Sequence, residues 1–395
     1  MIRSFSVARL PRIEFGAGFI VRLPELLAHY GRRVLLVTGA HSLQASPHWE
    51  RLLEGLKKAG IDWEHIAIAD EPSPPLVDAA VRRLGAADIE VVAGIGGGSV
   101  LDAAKAIAGL LPSGDSVMDY LEGVGPERPY RGPSIPFIAA PTTAGTGSEA
   151  TKNAVLSVRG ETGFKKSFRH ELLVPEYALV DPDLLATCPP PQIAANAMDA
   201  FTQLLESYVS LNADPFTDAL AESGMNAVRQ GLFAWYAGGE EAAAGRAGLA
   251  YAALASGICL AQTGLGSVHG LASPLGAFFP IPHGVICGTL VAAATSANID
   301  ALEARDRDSL ALDKYARVGN LLKGKQHNNP SNAHESLVLI LTEWTERLKL
   351  PPLSIYGIQE ADLPRIVAHC RGGSMKTNPI VLSDEELTAI LRQRL

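Results

Sequence analysis

A regular alternation of predicted strands and helices, which begins at Arg33, is the feature that most constrains the fold. Apolar runs at 34–38, 65–69 and 91–95 predict buried strands. Amphipathic segments between them predict helices near 47–59 and 76–87. Strands that alternate with helices predict a parallel, doubly wound sheet, and such sheets bind ligands at the carboxyl ends of their strands.

A glycine-rich segment, GIGGGSVLDAAKAIAGLL, follows the third of these strands. Gly97, Gly98 and Ser99 come where a helix should begin, and Asp102 lies in that helix. Glycines let the backbone approach a phosphate closely, and the first turn of a helix presents free N–H groups and a positive dipole end. The spacing is not GxGxxG, so an ordinary tight loop remains the alternative.

A second loop of this kind, APTTAGTGSEAT, follows the predicted strand IPFIAA. It places the hydroxyls of Thr142, Thr143 and Thr146 beside two glycines, a set of donors suited to phosphate or ribose oxygens. The alternative is a polar loop whose side chains bond their own backbone. Two such loops after neighbouring strands predict the two sides of a dinucleotide site.

Two histidines, His269 and His283, are each followed by glycine in the apolar stretch TGLGSVHGLASPLGAFFPIPHGVIC. Upstream, Asp199 lies on a predicted helix with Gln203 one turn further on the same face. A carboxylate and two imidazoles with one position left open are typical of a catalytic metal site. A single histidine in an apolar run is more often a core residue, so the prediction depends on the three together.

The second half of the chain has helical patterns throughout. Asp214 and Pro215 form an N-cap and first-turn pair, and Ser383 has the spacing of a capping box with Glu386. Further helices are expected at 239–262, 306–322 and 331–349. A chain of 395 residues should form two domains. We expect an α/β Rossmann-like dinucleotide-binding domain at 1–183 and an all-α metal-binding and substrate domain at 184–395.

Composition excludes several classes of protein. The hydrophobic content of 47% and charged content of 19% fit a globular enzyme, and a net charge of -8 offers no basic surface for nucleic acid. Four cysteines without a CxxC pair disfavour a disulfide framework or zinc knuckle, and the apolar surroundings of three of them predict buried free thiols. The N-terminus does not resemble a signal peptide, and no apolar run reaches the roughly 18 residues of a membrane span. We therefore expect a cytoplasmic protein without a membrane partner.

Residues 4–16 alternate apolar and polar residues on either side of Pro11, which predicts a short strand pair. Such a ribbon pairs with another subunit or forms an ordinary edge hairpin. The pattern fits both equally, and the ribbon makes a homodimer the expected assembly.

Five segments together resemble the iron-containing (group III) alcohol dehydrogenases: GGGSVLDAAKAIA, PTTAGTGSEAT, VDPDLL, MDAFTQLLESYVS and HGLASPLGAFFPIPHG. The resemblance implies hydride transfer between NAD or NADP and a small alcohol or aldehyde, with a divalent metal that is usually iron and sometimes zinc. It implies the dehydroquinate synthase-like architecture. By position, the metal ligands would be Asp199, His269 and His283, and the cofactor would lie against the two glycine-rich loops and Lys165.

Three positions depart from the pattern of that family. Gln203 stands where many members have a fourth ligand histidine, so the choice between iron and zinc becomes open. Ser273 stands where many have a histidine that relays the alcohol proton. Gly39 replaces an acidic residue that would bond the adenosine ribose, and this favours NADP.

Two alternatives follow from these observations. A lyase like dehydroquinate synthase would share the architecture and use its bound NAD transiently. A non-catalytic dinucleotide-binding protein without metal is suggested by Gln203 and Ser273.

Overall fold

The computed structural model describes residues 4–327 and 329–395. The chain folds into two compact units, an α/β unit and a helical unit. The α/β unit comprises Ala8–Val158 and Gly163–Cys188. The helical unit comprises Pro189–Leu395 with Arg159–Thr162 and residues 4–7.

The α/β unit contains a six-stranded parallel sheet in the order β1-β8-β5-β4-β2-β3 and a two-stranded antiparallel ribbon, β6-β7. Its strands are β1 Arg12–Phe15, β2 Arg33–Gly39, β3 Asp62–Ile68, β4 Val91–Gly96, β5 Phe137–Pro141, β6 Asn153–Val158, β7 Phe164–Arg169 and β8 Tyr177–Val180. Its helices are α1 Leu23–Ala28, α2 Pro47–Lys58, α3 Pro74–Leu84 and α4 Gly98–Leu110. The predicted doubly wound sheet is confirmed.

The strand order reverses at β2. The chain passes from β2 to β3 on one side and then returns to place β4 on the other side of β2, in register from Val34 opposite Val91 to Thr38 opposite Ile95. The segments that leave β2 and β4 therefore diverge, and a crevice at such a switch point is where doubly wound sheets bind ligands. Gly39 ends β2 and Gly97 follows β4 at this point.

The helical unit contains α5 Pro190–Val209, α6 Pro215–Ala237, α7 Ala242–Thr263, α8 Ser267–Phe278, α9 His283–Arg305, α10 Leu310–Lys323, α11 Pro330–Arg347, α12 Leu363–His369 and α13 Asp384–Arg392. The predicted starts of α6 and α13 are confirmed. Asp214 accepts hydrogen bonds from the first turn of α6 and forms a capping box with Thr217, and Ser383 does the same with Glu386 at α13.

The predicted N-terminal strand pair is wrong. Only Arg12–Phe15 forms a strand in this described segment, and it runs parallel to β8 at the edge of the main sheet. Residues 4–11 form no strand. Pro11 has no N–H to donate and a fixed φ, so a ladder cannot continue through it.

Two helices, α7 and α9, are long and apolar enough to cross a membrane by length and composition alone. The expectation that no segment reaches this threshold is therefore wrong. Most of each helix is buried inside the fold. Buried core helices pass the same test, so the two helices are weak evidence for a membrane span. The four cysteines are free, as predicted.

Candidate metal centre and dinucleotide site

Three helices of the helical unit bring the predicted metal ligands together. Asp199 lies in the middle of α5, His269 in the first turn of α8, and His283 is the first residue of α9. Residues 279–282, which include Pro280 and Pro282, separate α8 from α9, and Pro282 is the N-cap of α9. The residue before a proline is disfavoured in the helical conformation, so α8 ends before Pro280.

The ligand atoms face one another at short range. His269 Nε2 lies 3.3 Å and His283 Nε2 lies 3.7 Å from Asp199 Oδ1. Cys287, one turn after His283 on α9, joins the group, and all four candidate ligand atoms lie within 4.8 Å of one another. The side chains of Asp199, His269 and His283 are 2%, 7% and 25% exposed, so the group is buried but reachable at His283.

Glu206 supports this group from α5. Its Oε2 lies 2.6 Å from His269 Nδ1, and its Oε1 accepts a hydrogen bond of 2.7 Å from the Val268 N–H. A carboxylate on Nδ1 fixes the tautomer of a histidine and directs the Nε2 lone pair toward a metal. Glu206 was not among the residues predicted from sequence, although its position seven residues after Asp199 on one helix face is a usable signal.

The electrostatics of the group require a positive charge. Asp199 Oδ1 is buried and accepts no hydrogen bond of normal geometry from the described residues. Burial alone would raise the pKa of Asp199, but His283 and His269 lower it to about 2. Burial lowers the pKa of His269, and Cys287, Glu206 and Asp199 outweigh this, so its pKa rises above the usual value. A proton on His269 or a metal cation satisfies the group, and the donor set fits a divalent ion.

The two departures from the family pattern also lie here. Gln203 is buried on α5 one turn after Asp199, and its Oε1 accepts a hydrogen bond of 3.2 Å from Ser256. Ser273 is half-buried on α8, one turn after His269. Cys287 was expected only to be a buried thiol, although its spacing of four from His283 on a helix places both on one face.

The two glycine-rich loops meet in the α/β unit. A Cβ added at Gly97 would lie 3.3 Å from Thr143 Oγ1, and one added at Gly98 would lie 2.8 Å from Thr146 Oγ1. The Thr142 N–H bonds the Gly96 carbonyl at 3.0 Å. Side chains are thus excluded where α4 begins, which leaves its N-terminus open to a phosphate. Ser99, in the first turn of α4, is half-buried beside these glycines.

A buried polar network holds the loop that carries the threonines against α4. Lys105 Nζ is fully buried and donates to Ser148 Oγ and Thr151 Oγ1, each at 3.1 Å. Ser148 in turn donates to Asp102 Oδ1 at 2.6 Å. Burial lowers the pKa of Lys105 to about 8 and raises that of Glu149, which is also buried, to about 7. The carboxylate of Asp102 therefore supports the loop that carries the threonines.

Gly39 and Lys165 complete the residues assigned to the cofactor. No heavy atom beyond the adjacent residues lies within 4 Å of a Cβ added at Gly39, so the end of β2 has open space. Lys165 on β7 forms an ion pair of 3.0 Å with Glu71.

These two candidate sites fit one class of protein: an oxidoreductase with a dinucleotide site on a doubly wound sheet and a divalent metal centre in a helical unit. Family models agree along nearly the whole chain. Residues 11–182 match the model for iron-containing alcohol dehydrogenase, and residues 193–395 match that for the C-terminal part of the Fe-containing alcohol dehydrogenase family. The chain belongs to the iron-containing alcohol dehydrogenase family. It is a metal-dependent alcohol dehydrogenase and acts on CH–OH donors.

Individual relatives match over most of their length. Alcohol dehydrogenase 4 of Saccharomyces cerevisiae is 32% identical, over 97% of both chains. NADPH-dependent butanol dehydrogenase of Clostridium saccharobutylicum is 29% identical over 89% of this chain and 87% of its own. NAD-dependent methanol dehydrogenase of Bacillus methanolicus is 28% identical over 98% of both. The structure of a 1,3-propanediol oxidoreductase superposes with a TM-score of 0.89, at 27% identity and over 100% of both chains.

Proposed function

We propose that Asp199, His269 and His283 hold the divalent metal, and that the substrate oxygen binds there. The observation that carries this proposal is the buried Asp199 oxygen with two imidazole nitrogens at 3.3 Å and 3.7 Å and no normal hydrogen bond from the described residues. A divalent cation in such a position polarises a carbonyl and lowers the pKa of a bound alcohol. Asp199 supplies negative charge, and Glu206 keeps the Nε2 lone pair of His269 directed inward.

The proposed reaction is reversible hydride transfer. An alcohol loses a hydride from its carbon to the nicotinamide and a proton from its oxygen, which yields an aldehyde or ketone. In the reducing direction the new alcohol oxygen takes up a proton from Ser273 or from water. Ser273 is proposed for this role because it lies one turn after His269 on the same helix.

We propose NADP(H) as the preferred dinucleotide. The end of β2 has Gly39 and open space where a carboxylate would repel a 2′-phosphate, and His41 and Ser42 follow it as donors. Gly97, Gly98, Ser99, Thr142, Thr143 and Thr146 would bind the phosphates and ribose, with Asp102 as their support. One relative is named for NADPH and another for NAD, so both cofactors belong in the assay.

The test is the oxidation of NADPH and NADH by the full chain with a panel of short aldehydes, after reloading with iron(II) or zinc. The proposal expects stoichiometric loss of reduced cofactor with carbonyl, faster with NADPH. No net oxidation together with turnover of a bound cofactor would indicate the synthase-like alternative. Nucleotide binding without turnover of any carbonyl would indicate the non-catalytic alternative.

We also propose a homodimer. Strand β1 lies at the edge of the sheet and exposes Ile13 and Phe15, and an exposed apolar edge strand favours pairing with a second chain. Phe15→Lys should convert the dimer to a monomer in light scattering, whereas an unchanged mass would contradict this interface. A cytoplasmic location stays a prediction from the sequence.

A further inference from the structure

We propose that Cys287 is the fourth protein ligand to the metal. It would take the role of the ligand histidine that many family members have at the position of Gln203, and it makes this centre selective for zinc over iron(II). The inference rests on the metal site of the proposed function.

The distances around Cys287 fit a single tetrahedral ion. Its Sγ lies 3.6 Å from His269 Nε2 and 3.8 Å from His283 Nε2. A tetrahedral zinc with Zn–S of about 2.3 Å and Zn–N of about 2.0–2.1 Å separates sulfur from nitrogen by roughly 3.6 Å. The same geometry separates nitrogen from a carboxylate oxygen by roughly 3.3–3.4 Å. Asp199 Oδ1 lies 3.3 Å and 3.7 Å from the two nitrogens, so four of the six separations among the ligand atoms are close to those around a tetrahedral ion. The other two separations are no longer than 4.8 Å.

The secondary structure directs this thiol at the centre. His283 and Cys287 are four residues apart at the start of α9 and therefore share a face. Cys287 is fully buried, and its sulfur contacts both ligand imidazoles. Cys259 is an instructive contrast, because this buried thiol instead contacts the Thr217 carbonyl at 3.5 Å.

Gln203 is a weaker candidate for the fourth position. Its amide oxygen accepts a hydrogen bond from Ser256 on α7, at 3.2 Å. An amide oxygen is a hard ligand, whereas a thiolate is a soft ligand that favours zinc over iron(II). A coordinated thiol is deprotonated outright, and its proton passes to solvent when the ion binds.

Thiolate ligation also changes what the centre does with substrate. With Asp199 and the Cys287 thiolate, two negative charges offset the divalent ion, so the ion and its ligands together are neutral. With Cys287 in the set, the protein would supply four donors to the ion, which would act as a Lewis acid toward the substrate oxygen.

The direct test is zinc K-edge X-ray absorption on the zinc-loaded full chain. We expect a sulfur shell at about 2.3 Å, present in wild type and in Cys370→Ala but lost in Cys287→Ala. Cys370 is a matched control because it is a buried thiol in the same hydrophobic core cluster. Loss of a supporting residue outside the ligand set costs about 10–100-fold in metal affinity. Loss of this ligand should therefore raise the zinc Kd at least about tenfold.

Three results would overturn the proposal. Bound zinc with only nitrogen and oxygen neighbours in wild type would refute thiolate ligation and leave the proposed function standing. Protein that binds neither zinc nor iron(II) would refute both. An equal zinc-to-iron ratio in wild type and Cys287→Ala, after anaerobic loading with an equimolar mixture, would refute the zinc selectivity. The wild-type spectrum decides the first two even if Cys287→Ala does not fold.

Discussion

Glu206 is the residue through which the support of the metal centre can be tested apart from its ligands. Glu206→Gln keeps the size of the side chain but removes the charge that holds His269 in its tautomer. We expect a loss of about 10–100-fold in metal affinity, the cost typical of such supporting carboxylates. Isothermal titration with zinc measures it. Glu303→Gln is the control, because Glu303 pairs with His334 Nδ1 at 3.3 Å away from the ligands; equal loss in both variants would contradict the assigned role.

Glu149 should give the α/β unit a pH-dependent stability. Burial raises its pKa to about 7 from an ordinary value of 4.5, so between these values the folded state binds more protons than the unfolded state. The free energy of unfolding should therefore fall as pH rises through this window, by up to about 3 kcal/mol at about 1.4 kcal/mol per pKa unit. The pKa of Lys105 is lowered to about 8 from 10.5, so above pH 8 this residue makes the free energy of unfolding rise with pH.

Glu149→Gln should reduce the fall in the free energy of unfolding that Glu149 causes as pH rises. Urea unfolding followed by circular dichroism at about pH 5 and about pH 7.5 measures the difference. Exposed Glu64 on β3 provides the control variant, Glu64→Gln. A slope that is unchanged in Glu149→Gln would assign the dependence to another group.

At the scale of elements, the start of α4 should tolerate no side chain. Gly98→Ala places a methyl group 2.8 Å from Thr146 Oγ1 and must displace the threonine loop. Overpacking of this kind costs about 1–3 kcal/mol of free energy. A loss of about 1.4 kcal/mol in binding free energy lowers affinity tenfold. We expect dinucleotide affinity to fall about tenfold, with metal content unchanged. Gly85→Ala, where the nearest atom lies at 3.4 Å, should retain wild-type affinity in a fluorescence titration with NADPH; equal weakening in both would refute the steric explanation.

Periodicity predicted β2, β4 and α4 well because each buries a continuous apolar surface against its neighbours. It did not show that the histidine stretch divides into α8 and α9 around residues 279–282. Once His283 and Cys287 are known to lie on one helix, α9, their spacing of four places them on the same face. The predicted N-terminal strand pair is wrong because alternation of apolar and polar residues does not identify the partner of a strand. The partner of β1 is β8, not a second strand on the other side of Pro11.

At the scale of the whole molecule, the sequence predicts which helix or strand many residues belong to. It does not predict which helices and strands pack against one another. Lys165 is predicted to face the cofactor through the family resemblance alone, and no strand is predicted around it, whereas it lies on β7, which pairs with β6. The predicted ligands Asp199, His269 and His283 were identifiable because their chemistry is distinctive. The spacing of Glu206 from Asp199 and of Cys287 from His283 predicts only that each pair shares a helix face. The contacts of Glu206 with His269, and of Cys287 with both imidazoles, depend on how α5, α8 and α9 pack together.

The most direct test of the central claim is divalent metal per chain by elemental analysis, on full-length protein purified without chelator and on His283→Ala beside it. We predict about one iron or zinc per wild-type chain, the number that one set of four ligand positions holds. In His283→Ala the metal and the turnover should be lost while NADPH binding persists. Wild-type protein that holds no metal after anaerobic reloading with iron(II) and zinc, or His283→Ala that retains it, would contradict the assigned metal centre.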